Sequence, residues 1–159
     1  MKYIRIYCEY LKILKCEYYE VNGKKEGEYK EYDIYGNLKN IFNYSNGLLT
    51  GVSKQYYQEG GLSSVENYVK SKKIGECNYY INGNIFESLL FSDGSDICKY
   101  KRYYYHNRNG ILNESGHVIY NPSLGCDPYI YIYYGMIKFY DENGEFIEEK
   151  YYDHRKCII

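Results

Sequence analysis

The side chains of this sequence that could do chemistry are six cysteines, three histidines, paired acids and 26 tyrosines. Cys8, Cys16, Cys77, Cys98, Cys126 and Cys157 are far apart and form no CxxC pair, so reduced thiols are expected rather than a disulfide framework. Cys98, His106, His117 and Cys126 make the one grouping of metal-ligand types, and it lacks the close paired spacing of zinc modules. No metal and no cofactor is expected. His106 lies within Tyr103-Tyr104-Tyr105-His106-Asn107-Arg108, which reads as an exposed turn rather than a general base. Glu148-Glu149 and Asp141-Glu142 read as ordinary strand ends and turns. The chain has no GxSxG elbow, HExxH helix, phosphate-binding glycine loop or GxGxxG fingerprint. The expectation is a protein that binds and is not an enzyme.

Tyrosine is the residue type in excess, against 5 Phe and no Trp. It recurs in clusters: Tyr56-Tyr57, Tyr79-Tyr80, Tyr103-Tyr104-Tyr105 and Tyr133-Tyr134. Adjacent strand residues point to opposite faces, so each cluster would supply one ring to a packed side and one to the other. Tyr57, Tyr79, Tyr103 and Tyr105 are therefore candidates for an exposed aromatic strip, with Arg102, His106 and Arg108 beside them. Such a strip suits a peptide, protein or glycan. The competing reading covers both faces with neighbouring side chains.

Composition narrows the partners. Twenty Lys and Arg stand against 21 Asp and Glu, with no long run of one sign, so a nucleic-acid footprint is not expected. Charges at Arg5 and Glu9 interrupt the apolar start, so no secretory signal is read there. No segment approaches the length of a membrane-spanning helix. A single cytoplasmic domain is expected, in the host cytoplasm if the source is viral, with an unidentified protein as partner.

The elements that must position these side chains come from a repeat. Gly27, Gly51 and Gly75 are spaced by 24 residues. Tyr32, Tyr56 and Tyr80 follow at the fifth position and Leu38, Leu62 and Phe86 at the eleventh. A further period gives Tyr104, with Lys99 in place of the glycine and Leu112 at the Leu38 position. Another copy carries Gly135, Tyr140, Gly144 and Phe146. The units are a degenerate copy over 3–26, repeats over 27–50, 51–74 and 75–98, an irregular stretch over 99–134, a copy over 135–152 and a tail over 153–159.

Each unit holds two short apolar-alternating runs punctuated by Gly and Asn, the pattern of a β-hairpin. The fold class read from it is all-β: tandem β-hairpins in an elongated, twisted antiparallel meander. Alternation places Leu38, Phe42 and Tyr44 on one face and Ile41 on the other, with Val65 and Leu89 at the Ile41 register. It also stacks Tyr32, Tyr56, Tyr80 and Tyr104 as an aromatic row.

Asn22-Gly23-Lys24-Lys25-Glu26-Gly27-Glu28-Tyr29-Lys30-Glu31-Tyr32, Tyr35-Gly36-Asn37-Leu38 and Asn43-Tyr44-Ser45-Asn46-Gly47 resemble the bacterial and large-virus variant of the MORN repeat. The resemblance is good over about residues 10–92 and 135–152 and loose over 98–134. It implies hairpins in an extended sheet used as a scaffold or interaction surface. The antitoxin-like label of many bacterial members implies restraint of a protein partner. Eukaryotic members imply a membrane-proximal scaffold with phospholipid contact, for which the one basic cluster here is Lys99, Lys101, Arg102, His106 and Arg108.

Overall fold

The computed structural model describes residues 1–92, 97–103, 110–120 and 131–153. All regular structure among them is β-strand, and the chain divides into two compact units, Met1–Ile74 and Gly75–Ile159. The first holds β1 (Lys2–Tyr7), β2 (Leu14–Val21), β3 (Lys24–Tyr32), β4 (Leu38–Ser45), β5 (Leu48–Leu49), β6 (Gly51–Tyr56), β7 (Leu62–Val69) and β8 (Lys72–Lys73). They form an antiparallel meander in sequence order, with the two-residue β5 and β8 hydrogen-bonded to β4 and β7. The second holds β9 (Gly75–Ile81), β10 (Asn84–Phe91), β11 (Ile97–Tyr103), β12 (Leu112–Tyr120), β13 (Tyr131–Tyr140) and β14 (Phe146–Tyr152), again antiparallel in sequence order and open.

The periodic glycine marks a bend in a strand. Tyr18 pairs with Tyr29 but Tyr19 pairs with Glu26, so Gly27 and Glu28 are extra residues at a bulge, and Gly27 takes φ +74°. Gly51, Gly75 and Gly135 have the same left-handed backbone. Short turns with two consecutive positive-φ residues are Asn22-Gly23, Asn46-Gly47 and Lys70-Ser71, and a fourth, Asn82-Gly83, stands in the third hairpin where the others have a longer turn. Paired positive φ is the backbone that matches the twist of a two-residue hairpin. Longer turns close the opposite hairpin ends. In residues 33–37, 57–61 and 141–145 the first residue donates its N–H to the carbonyl of the fifth, as Asp33 does to Asn37 at 2.9 Å.

A second bulge recurs where each long turn begins, and it sets which residues share a face. Tyr7 pairs with Leu14, Tyr32 with Leu38, Tyr56 with Leu62, Tyr103 with Leu112 and Tyr140 with Phe146, each just past a register shift. Simple alternation therefore fails at three places. Lys39 is the extra residue beside Leu38, so Leu38 sits opposite Tyr32 and leaves the face of Phe42 and Tyr44. In the third hairpin the tight Asn82-Gly83 turn shortens the connection: Tyr80 pairs with Ile85, and Phe86 is the bulged residue. Leu89 then pairs with Cys77, as Phe42 pairs with Tyr29, which takes Leu89 off the Ile41 register and into the core. In the fourth hairpin Tyr103 takes the position expected of Tyr104, which lies outside the described residues.

The two units bury different chemistry. In the second, Cys77, Tyr79, Leu89, Phe91, Cys98, Tyr100 and Val118 form an apolar cluster against which Tyr133 packs. Gly116 belongs there because a Cβ would stand 2.5 Å from Ile137 Cδ1 and 2.7 Å from the Met136 carbonyl oxygen. In the first, the buried positions are Cys16, Asn40, Ser53, Ser64 and Glu66, flanked by the rings of Tyr18, Tyr29, Phe42 and Tyr44. Among the described residues Cys8, Cys16, Cys77 and Cys98 are free thiols.

Candidate functional site: a tyrosine-lined cleft at the turn ends of the first unit

The long turns of the first unit lie at one end of its hairpins and enclose a cleft of about 940 Å³. Its tyrosines are Tyr7, Tyr10, Tyr32, Tyr35, Tyr56 and Tyr57, and Ile6, Leu11, Ile13, Ile34 and Leu38 complete its apolar lining. The bulge pairs supply Tyr7, Tyr32, Leu38 and Tyr56, so the repeat itself builds part of the wall. The turns add the rest. Tyr10 is 94 % exposed, Ile34 67 % and Tyr35 66 %, with Leu11 also exposed.

The turns that carry these side chains are held by hydrogen bonds that do not use them. Asp33 Oδ1 accepts from the backbone N–H groups of Tyr35 and Asn37, both at 2.8 Å, fixing the second turn. In the first, the Cys8 N–H donates to the Ile13 carbonyl at 2.8 Å. The backbone N–H groups of Leu11 and Tyr10, with help from Lys15, hold the Cys8 thiol below the ordinary cysteine range. The Tyr32 hydroxyl donates to Glu17 Oε1 at 2.8 Å. Glu17 also accepts from the Tyr3 hydroxyl, and these phenols, with Arg5 as a lesser influence, hold its carboxyl below the usual range. The polar end of Tyr32 is thus satisfied within the protein while its ring lines the cleft. Glu9, Glu31 and Asp33 stand beside Lys15 and Lys39, so the charges of the lining are mixed.

The candidate binding residues read from the sequence separate. Tyr57 lines the cleft. Tyr79, expected on an exposed strip, is 8 % exposed and belongs to the apolar cluster of the second unit. Tyr103 is half-buried at its bulge pair with Leu112. Tyr105, His106 and Arg108 lie outside the described residues. Arg102 enters a buried charged cluster: Nη1 lies 2.6 Å from Glu114 Oε1 and Nη2 lies 3.2 Å from Glu87 Oε2. The hydroxyls of Tyr100 and Tyr133 also donate to Glu114. This arrangement holds strands β10 to β13 together and leaves Arg102 little freedom to meet an external anion. Tyr10, Leu11, Ile34 and Tyr35 were not singled out from the sequence, although apolar side chains in turns are a readable signal.

The chain matches no family model and no curated protein. Among the described residues no helix is long and apolar enough to cross a membrane.

Proposed function

We propose that this chain is a non-enzymatic, protein-binding repeat module that holds an apolar segment of a partner in the cleft of its first unit. The observation that carries this reading is the exposure of Tyr10, Leu11, Ile34 and Tyr35 on turns held by hydrogen bonds that do not use these side chains. Large apolar side chains in such turns add nothing to turn formation, and exposed aromatic anchors around a cleft are the usual makings of an interface. The resemblance to MORN-type repeats supports a scaffold role. Its antitoxin-like branch adds the proposal that occupancy restrains the partner's own activity. The phospholipid alternative has less to stand on, because Arg102 is engaged by Glu87 and Glu114 and leaves Lys99 and Lys101 as the exposed described members of the basic cluster.

The test places a photo-crosslinking amino acid at Tyr57 and irradiates the protein in its native cells. One dominant protein adduct is expected, and it should be lost when Tyr10, Ile34 and Tyr35 are changed together to serine. An adduct pattern indifferent to that triple change would overturn the reading, provided circular dichroism shows the variant folded.

A further inference from the structure

Lys25, in β3, points its ammonium group into three phenol rings. Nζ lies 4.0 Å from the ring centroid of Tyr29, 4.9 Å from that of Tyr44 and 5.4 Å from that of Tyr18. The rings hold one another: Tyr18 and Tyr29 are 5.5 Å apart, Tyr29 and Tyr44 5.9 Å, and Phe42 backs Tyr29 at 6.2 Å. Among the described residues no carboxylate forms an ion pair with Lys25.

The repeat supplies an internal comparison. Lys73 occupies the Lys25 position two periods later, and Glu66 occupies the Tyr18 position at the same interval. Lys73 Nζ sits 2.8 Å from Glu66 Oε1, the ordinary way to hold a half-buried ammonium. At Lys25 the carboxylate has been replaced by an aromatic wall.

Ring faces attract a cation but offer a primary ammonium no strong acceptor for its three N–H donors, which must be taken from water. A quaternary ammonium has no N–H to desolvate and presents methyl groups to the rings. The cage is therefore better matched to a trimethylated nitrogen than to the lysine that fills it. We propose that Tyr18, Tyr29 and Tyr44 form a binding site for a trimethylammonium group, and that Lys25 closes it by occupying it intramolecularly. This site is separate from the turn-end cleft and stands or falls independently of the partner reading.

The probe is tetramethylammonium chloride, titrated at constant ionic strength against sodium chloride and read from the tyrosine ring protons by NMR. Lys25→Gln removes the resident cation and should show saturable shifts of the three rings. Intact protein should bind about tenfold or more weakly, since the tethered ammonium competes at high effective concentration. Adding Tyr29→Leu to Lys25→Gln should abolish the shifts. Absence of saturation in folded Lys25→Gln, or binding unaffected by Tyr29→Leu, overturns the proposal. The natural source of the group is read by comparing trimethyl-lysine amide with phosphocholine on Lys25→Gln: tighter binding of the first assigns the cage to a modified peptide, tighter binding of the second to a lipid headgroup.

Discussion

Arg102 and Glu114 face each other across β11 and β12 as a directly paired couple, with Nη1 and Oε1 2.6 Å apart at a place where Glu114 is almost fully buried. The guanidinium also reaches Glu87 on β10. A buried ion pair adds little over an apolar substitute, but removing one partner leaves the other's charge stranded. Arg102→Met is therefore expected to destabilise the second unit by about 3 kcal/mol. Urea unfolding of the two proteins side by side measures it. A loss within experimental error of zero would show that the carboxylates do not depend on Arg102.

Glu87 makes stability depend on pH in an unusual direction. Burial raises its pKa to about 7 from 4.5, outweighing the opposing pull of Arg102, with the nearby Glu114 adding a little to the rise. The folded state thus holds this proton more tightly than the unfolded one. The contribution is fully present below the unfolded pKa and is lost as pH rises through the folded value. Between pH 4.5 and 7 wild-type protein should lose stability relative to Glu87→Gln, by a total on the order of 3 kcal/mol. Denaturant midpoints of both proteins at several pH values test this. Parallel profiles would mean that Glu87 titrates normally in the folded protein.

The glycine signature predicts a cost that is purely conformational. Gly51 has φ +68°, and a Cβ built on it meets nothing within 4 Å. Gly51→Ala should therefore destabilise through backbone strain alone, by about 1–2 kcal/mol. Gly51→Asn, whose side chain tolerates the left-handed region, should cost less. If alanine and asparagine were equally costly, something other than φ would be deciding the outcome.

That glycine also shows what could and could not be read from sequence. Its period located the hairpins, because a bend requiring positive φ at the same step can be met cheaply by one residue type. The faces were harder. A bulge inserts one residue and reverses the side to which everything beyond it points, so Leu38 and Leu89 both fell on the side opposite to the one alternation assigns. Nothing in the local composition around Lys39 or Phe86 announces that extra residue. Tyr79 was misplaced for a related reason: a tyrosine doublet says that two faces receive a ring, not which face is covered. The partners of Arg102 stand 15 and 12 residues away and met it through register alone.

The Lys70-Ser71 turn departs from its own repeat. Asn22 and Asn46 hold the equivalent first position at φ 49° and 52°, while Lys70 holds it at φ 49°. Asparagine enters the left-handed region more readily than lysine, so Lys70→Asn should stabilise by roughly 0.5 kcal/mol. Ser71 should be left alone, because its Oγ accepts from the Leu49 N–H at 3.1 Å. Thermal melting compares the single variant with Lys70→Asn combined with Ser71→Gly, which should forfeit part of the gain. A lower midpoint for Lys70→Asn alone would contradict the assignment of the turn.

Ser53 offers the opposite experiment, removal of a polar atom from the interior. Its side-chain oxygen is buried and has no hydrogen-bond partner among the described residues, as is also true of Ser64. An unsatisfied buried hydroxyl carries a desolvation penalty with no compensating bond, whereas a methyl group at the same place carries none. In the second unit the register of Ser53 is filled by Cys77, which packs into the apolar cluster. Ser53→Ala should therefore raise stability by about 1 kcal/mol, and Ser53→Cys by a similar or larger amount if the extra volume is accommodated. Urea midpoints decide it: destabilisation by Ser53→Ala would mean that the hydroxyl holds a water or a partner group that stabilises the first unit.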